Sequence, residues 1–297
     1  MINSRTTLLL LSLILSFQIT THSQSPPPNL KNTTNSQILG YVNSKKLNEV
    51  SGIVASIQNP GYFWVHNDSG DEANLYLINS TGKHIATIKI DDATHHDWED
   101  IAIGTPKKYG VPVLFIGDIG NNFSLRKTTI IYIIKEPKIT ENKTLIIEKS
   151  APLLDTLKVR YSDEARDFET LLFDPISEQL FTVSKRKKIP ELFIITKDNT
   201  ESSSYTFEKT INLPLKNLKR RDNISGGDIS KSGKRIAIKS YDYIYIWNRK
   251  NNESLIEFIK SPPQVIKPPF EKQSEAICWE MDQLSILTLS EKKTIFQ

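Results

Sequence analysis

Short runs of β-branched and aromatic residues recur along the chain, separated by Gly, Asn, Asp and Pro. No long stretch has the period of an amphipathic helix. This pattern predicts many short antiparallel strands joined by tight turns. Representative runs lie at residues 62–65, 75–78, 113–116, 130–134, 180–183, 192–195, 235–238 and 243–247.

Five of the predicted strands open alike, with a carboxylate just before or at the start of an apolar run. The segments are Asn48-Glu49-Val50-Ser51-Gly52-Ile53, Trp98-Glu99-Asp100-Ile101-Ala102-Ile103, Phe168-Glu169-Thr170-Leu171-Leu172-Phe173, Gly227-Asp228-Ile229-Ser230 and Ser274-Glu275-Ala276-Ile277-Cys278-Trp279. Most intervals between the acids are about 50 to 60 residues, which is typical of propeller blades with four strands each. The sequence therefore predicts an all-β fold, a β-propeller of five blades, with six as the alternative.

The two ends of the repeat indicate how the ring closes. The last unit leaves room for two or three strands, and residues 37–42 precede the first unit as an orphan strand. We expect residues 37–42 to complete the last blade beside a strand at residues 284–289, because a closed ring has no open sheet edge. The longest interval, from Glu99 to Glu169, predicts either one enlarged blade or a blade followed by a degenerate one.

Propeller topology brings particular residues together. The innermost strand of each blade starts at the mouth of the central channel, and the second strand ends there. We expect one acidic mouth formed by Glu49, Glu99, Glu169, Asp228 and Glu275. The ends of the second strands add Asp68, Asp118, Asn121, Lys185, Lys239 and Glu291 near that mouth.

Clustered carboxylates repel one another unless a positive charge compensates them. A hard divalent cation such as Ca²⁺ would do so, since it binds several carboxylate, amide and carbonyl oxygens. The predicted metal ligands are Glu49, Glu99, Asp118, Glu169 and Glu275, and the predicted ligand-binding residues are Asp68, Asn121, Lys185 and Lys239. Two alternatives remain open: basic side chains such as Arg126 and Arg186 balance the charge, or the acids bond backbone N–H groups and tie blades together.

Composition narrows the function classes. The formal net charge is only +4 and the basic residues are scattered, so no nucleic-acid partner is expected. The adjacent pair His95 and His96 points in different directions on an extended chain, which disfavours a zinc site. Cys278 lies in an apolar run and is expected to be buried and inert. The common hydrolase, phosphate-loop and dinucleotide motifs are absent.

The N-terminal region predicts export. Arg5, an apolar run at residues 8–17 and small residues at Thr21 and Ser23 are typical of a signal peptide covering residues 1–23. An uncleaved anchor is the alternative. Residues 24–36 then form a flexible Pro-rich linker, and residues 37–297 the propeller. We expect a secreted or periplasmic monomer without a transmembrane segment after cleavage.

Four motifs resemble those of a family of bacterial secreted β-propellers. They are Trp98-Glu99-Asp100-Ile101-Ala102, Gly117-Asp118-Ile119-Gly120-Asn121-Asn122, Asp167-x-Glu169-Thr170-Leu171 and Ser274-Glu275-Ala276-Ile277. The family is distantly similar to propeller phytases, esterase-like phytases and gluconolactonase-type propellers. The resemblance implies that channel acids hold a divalent metal, with Glu49, Glu99, Glu169 and Glu275 at the matching positions.

Two function classes follow. The first is a binding module that holds a small-molecule or surface ligand, or a divalent cation, at the acidic mouth. The alternative is a metal-assisted hydrolase of a small phosphate ester, lactone or sugar derivative, in which the metal polarises the scissile group and activates water. The fold does not choose between an enzyme and a binding protein.

Overall fold

The computed structural model describes residues 36–140, 145–198, 204–215, 223–250, 253–269, 273–290 and 294–297. The predicted signal peptide and nearly all of the predicted linker lie outside these ranges, as does Glu291. Among the described residues, the one α-helix is a single turn and no helix has the length and apolar character needed to cross a membrane.

The strands follow the chain blade by blade. Strand β1 (Ile38–Tyr41) precedes the first blade, which is formed by β2 (Val50–Ala55), β3 (Tyr62–Asn67), β4 (Asn74–Asn79) and β5 (His84–Ile90). The second blade contains β6 (Trp98–Gly104), β7 (Val113–Asp118) and β8 (Thr128–Lys135). The chain then forms β9 (Ile147–Ala151) and β10 (Leu153–Tyr161).

The third blade contains β11 (Leu172–Asp174), β12 (Gln179–Val183), β13 (Glu191–Lys197) and β14 (Ser204–Asn212). The fourth contains β15 (Ile224–Ile229), β16 (Arg235–Ser240), β17 (Ile244–Asn248) and β18 (Gln264–Ile266), with the helical turn α1 (Leu255–Phe258) before its last strand. The fifth contains β19 (Ser274–Trp279), β20 (Ile286–Ser290) and β21 (Thr294–Phe296).

The innermost strands form a closed ring. Strand β2 contacts β6, β6 contacts β11, β11 contacts β15, β15 contacts β19, and β19 returns to β2. The predicted all-β propeller is therefore confirmed, with five blades.

The N-terminal strand closes the last blade, as predicted, but its partner differs. Strand β1 pairs antiparallel with β21, where Gly40 lies opposite Ile295 and Tyr41 opposite Thr294. The expected partner at residues 284–289 overlaps β20, which is already paired on both sides by β19 and β21. The prediction missed β21 because a strand of three residues at the chain end has almost no periodic pattern.

The long interval after Glu99 belongs to an enlarged connection. Strand β10 is the fourth strand of the second blade and also pairs in parallel with β14 of the third blade. Strand β9 adds to the outer edge of the first blade, in parallel with β5. Pro152 lies between β9 and β10, where the chain passes from one blade edge to the next; proline lacks the N–H that a central strand needs.

Many strands are continuous apolar runs in the sequence because both faces of the sheet are buried. Every residue of β2, β7, β16 and β19 is buried, because each blade packs against a neighbour on both sides. The cores between blades contain fully buried Trp64, Trp98 and Trp247. Complete burial of an aliphatic or Phe side chain stabilises the fold by about 2 kcal/mol. Cys278 on β19 is fully buried, as expected, and burial raises the pKa of its thiol.

Candidate metal site at the acidic mouth

An irregularity in strand register lies at the start of the innermost strands. In four blades an extra residue interrupts the pairing with the second strand, namely Ser51, Glu99, Ser225 and Glu275. In the third blade Phe168 forms a bridge with Ser184, so Glu169 occupies the same position. Bulges of this kind re-aim a side chain, and here they define the structural repeat.

The register separates two of the five predicted acids from the structural repeat. The equivalent positions carry serine in the first and fourth blades, so Glu49 and Asp228 are not repeats of Glu99. Glu49 lies two residues before Ser51 and its side chain is exposed, but its carbonyl oxygen accepts a hydrogen bond from Asp68 N and its charge adds to burial in raising the pKa of Asp68, so it stays near this end of the channel. Asp228 lies three residues after Ser225, inside β15. Asp228 therefore faces the opposite end of the channel, among residues that end the innermost strands.

Five carboxylates from three consecutive blades converge at one end of the channel. One group contains Glu99, Asp167 and Glu169, all buried, and a second contains Asp68, Asp97 and Glu99; within each group one oxygen of every residue lies within 4.8 Å of the others. Glu99 belongs to both groups. We call Asp68, Asp97, Glu99, Asp167 and Glu169 the acidic mouth.

The local sequence explains this convergence. Asp97-Trp98-Glu99 and Asp167-Phe168-Glu169 share the spacing Asp-aromatic-Glu, and both aromatic side chains are fully buried. The buried ring anchors each segment while the flanking acids lie at the mouth. Asp97 and Asp167 were not among the predicted ligands, although this repeated spacing was available as a signal.

Gly120 leaves room for the carboxylates. A Cβ atom at this position would lie 2.3 Å from Glu99 Oε1 and 2.4 Å from the Asp97 carboxyl carbon. Any side chain here would therefore displace two of the candidate ligands. This contact gives a physical reason for the glycine in the motif Gly117-Asp118-Ile119-Gly120.

Two basic side chains compensate part of the charge. Lys185 forms an ion pair with Glu169, and Arg186 Nε lies 2.9 Å from Asp167 Oδ2. Five carboxylates thus have two direct cationic partners. Asp68 Oδ1 and Glu169 Oε2 are buried oxygens with no hydrogen-bond partner among the described residues. The site has unused acceptors as well as uncompensated charge.

Burial and neighbouring carboxylates raise the pKa values of Asp68, Glu99 and Glu169. Burial raises the pKa of Asp68 to about 7, assisted by Asp97 and Glu275. Burial and then Glu169 raise the pKa of Glu99, and burial, Glu275 and Asp167 raise that of Glu169 despite the opposing effect of Lys185. Burial alone would lower the pKa of Lys185, but Glu169 and Glu99 raise it, so this lysine stays charged.

The remaining predicted residues lie around the acidic mouth. Asp118 is buried behind it, with its Oδ1 2.7 Å from Arg126 Nη1 and accepting a hydrogen bond from Asp97 N at 3.3 Å. Glu275 Oε1 accepts a hydrogen bond from the Tyr241 hydroxyl at 2.8 Å. Neither residue belongs to the two ligand groups. Tyr241 was not predicted, although it follows the second strand of its blade as Lys185 follows that of the third blade.

Asn121 and Lys239 have different surroundings. The Asn121 side chain bonds Arg126 backbone atoms and the Tyr161 hydroxyl, and its backbone N–H donates to Asp167 Oδ1 at 2.9 Å. Lys239 is fully buried and its Nζ donates to the Ser240 carbonyl at 3.2 Å. Asn121 thus shapes the loop beside the acidic mouth, whereas the contacts of Lys239 include the backbone of its own strand end.

The histidines do not join the acids. Both ligand groups among the described residues consist of carboxylates alone. His66 is fully buried beside Trp98, and burial lowers the pKa of its ring to about 4. The His95 ring nitrogens lie 3.0 Å from the Asp71 carbonyl oxygen and 2.9 Å from that of Asp68. A set of oxygen ligands fits a hard cation such as Ca²⁺ better than zinc.

Comparison with known proteins adds evidence on the fold alone. No family model and no curated protein matches the chain, so the resemblance to phytase-like and gluconolactonase-type propellers stays a prediction. The chain is similar to the PQQ-bound form of aldose sugar dehydrogenase from Streptomyces coelicolor, with 9% identity and a TM-score of 0.46 over 88% of this chain and 97% of the other. Because that score is low, the five-bladed ring is assigned from its strand pairing alone.

Proposed function

We propose that the acidic mouth binds a divalent cation, Ca²⁺ or one of similar preference, and that the protein uses this end of its channel to hold a small-molecule or surface ligand. The main support is the convergence of Glu99, Asp167 and Glu169, three buried carboxylates whose oxygens lie within 4.8 Å of one another. Lys185 and Arg186 pair with only two of these three acids, and a buried carboxylate without a cationic partner is costly.

The exposure of the site favours a cation that keeps an open side. Asp68 and Asp97 are half-buried, whereas Glu99, Asp167 and Glu169 are buried. A cation held by the buried acids would therefore face solvent through the half-buried pair. That arrangement suits a ligand that adds its own oxygen to the metal.

Metal-assisted hydrolysis of a small phosphate ester, lactone or sugar derivative is the second candidate. Lys185 and Tyr241 support it, because both lie beside the acids and have N–H or O–H groups that can donate hydrogen bonds to a bound substrate. Glu275 accepts a hydrogen bond from Tyr241 and contributes to the raised pKa of Lys185. A divalent cation would polarise the scissile group. The binding role needs fewer groups and is the one we favour.

Cation binding can be tested on the purified mature protein. After treatment with EDTA and dialysis, we expect added Ca²⁺ to raise the melting temperature. At one hundred times the dissociation constant the stabilisation would be about 2.7 kcal/mol. Glu99→Gln should abolish this response, since Glu99 belongs to both ligand groups.

Glu49→Gln is the matched control. It removes the same charge from a neighbouring blade, but Glu49 is exposed and lies outside both ligand groups; its charge affects the site only through Asp68. We expect this variant to keep most of the calcium response of the wild type. The proposal is wrong if the wild type does not respond to Ca²⁺, or if Glu49→Gln and Glu99→Gln lose the response equally.

A further inference from the structure

A cavity lies at the end of the central channel opposite the acidic mouth. Its volume is about 160 Å³, and all five blades contribute to its wall. Ala55, Ile103, Phe173, Asp228 and Trp279 represent blades one to five, in that order. The wall is largely apolar, and Asp228 contributes a buried carboxyl group. A cavity of about 150 Å³ accepts a ligand the size of benzene.

The carboxyl group of Asp228 lacks a counter-charge. Its Oδ2 accepts a hydrogen bond from the Trp279 backbone N–H at 2.8 Å, and the Ile229 N–H is a further donor. No Lys or Arg of the described residues forms an ion pair with it; Lys231 and Glu280 also line the cavity and have opposite charges. A buried carboxylate that faces a cavity and forms no ion pair favours a ligand that supplies a cationic partner.

Trp279 provides an aromatic surface in the same place. The residue is 2% exposed and lines the cavity, so the face or edge of its ring is available to pack against the apolar part of a ligand.

We propose that this cavity binds a small organic cation, a primary alkylammonium or cycloalkylammonium, whose charged nitrogen pairs with Asp228 and whose hydrocarbon part packs against Phe173, Ile103 and Trp279. The positive charge pairs with the carboxylate of Asp228, and the hydrocarbon part suits a wall that is largely apolar. This site is separate from the acidic mouth and does not depend on it.

The test uses cyclohexylammonium and its neutral match cyclohexanol as probes. ¹⁵N-labelled mature protein is titrated with each at constant ionic strength, and the Trp279 indole resonance is followed after assignment with Trp279→Phe. We expect cyclohexylammonium to bind at least about tenfold more tightly than cyclohexanol. Asp228→Asn should remove that preference, whereas Glu280→Gln, which neutralises the other carboxylate lining the cavity, should keep it.

Three outcomes overturn the proposal: no shift with either probe, equal binding of the alcohol and the ammonium ion, or loss of the preference in Glu280→Gln. Asp228→Asn removes a link between blades and can impair folding. If it does, the two probes are compared on the wild-type protein alone, and the tenfold preference for the ammonium ion tests the proposal. Calcium response in the same samples reports separately on the acidic mouth.

Discussion

The two ends of the central channel bury carboxyl groups in contrasting ways. Towards the far end, Asp100 accepts hydrogen bonds from the backbone N–H groups of Leu171 at 2.8 Å and Ile101 at 2.9 Å, and Asp228 accepts one from that of Trp279. These acids link the second blade to the third and the fourth to the fifth. In the acidic mouth, Glu99 and Glu169 lie beside other carboxylates instead.

Burial raises the pKa in both regions, so a raised pKa does not distinguish them. The partner atoms do. Asp100 and Asp228 are acceptors for peptide N–H groups and perform the structural role left open by the sequence. Glu169 has an oxygen without a hydrogen-bond partner and depends on Lys185. Glu99 and Asp100 are adjacent on one strand, yet Asp100 accepts hydrogen bonds from peptide N–H groups whereas Glu99 lies beside other carboxylates.

Loss of Lys185 should have the largest effect. Lys185→Met leaves Glu169 without its cationic partner, and we expect metal-free protein to lose about 3 kcal/mol of unfolding free energy. Calcium should recover most of this loss, because the cation replaces the lysine. Urea unfolding in EDTA and in saturating Ca²⁺ measures both values. An equal loss under both conditions would mean that Lys185 is the permanent counter-ion of a site that takes no metal.

Asp100→Ala should destabilise the protein by about 2 kcal/mol, because it leaves buried N–H groups of Leu171 and Ile101 without an acceptor. The loss should be the same with and without Ca²⁺, as measured by urea unfolding. A calcium-dependent loss would place Asp100 with the acidic mouth and remove the contrast between the two regions.

Glu99→Gln should have the opposite sign in metal-free protein. It replaces a buried carboxyl group that lies among other carboxylates by a neutral amide, so we expect stabilisation by about 1 kcal/mol at pH 8 in EDTA. Thermal unfolding beside the wild type and Asp100→Ala provides the measurement. Destabilisation by Glu99→Gln in EDTA would show that Glu99 has a structural role like that of Asp100.

The smallest effect concerns pH and Asp228. Its pKa is raised by burial to about 7 in the folded protein, from 3.8 for the ordinary group. The folded state therefore binds the extra proton, and the contribution of Asp228 to stability falls as the pH rises from about 4 to about 7. Between about pH 6.5 and 7.5 the loss is about 0.7 kcal/mol.

Asp228→Asn should remove this part of the pH dependence, and saturating Ca²⁺ in all samples suppresses the contribution of the acidic mouth. Chemical unfolding of both proteins across that pH range is the measurement. Parallel curves for wild type and variant would contradict the assignment of this slope to Asp228.

The sequence was sufficient for the fold because the repeated unit has a strong pattern. Trp98-Glu99 and Phe168-Glu169 mark innermost strands, and the short final unit pointed to closure by the N-terminal strand. The site was harder. The equivalent position is Ser51 in the first blade and Ser225 in the fourth. Aligning the blades by their acidic residues therefore selected Glu49 and Asp228 in place of these serines. A bulge leaves no signature in composition, and strand pairing was needed to locate the true equivalents.

The connection from the second blade to the third has a mechanical consequence. Strand β9 pairs with the outer strand of the first blade, and β10 pairs with the outer strands of the second and third blades, so this connection links three blades at their outer edges. The acidic mouth draws its carboxylates from these same three blades. Local opening of the ring should therefore be most frequent where the fourth and fifth blades contact their neighbours. Amide exchange should be faster in β17 and β20 than in β8, so the candidate ligands keep their spacing while the rest of the ring opens.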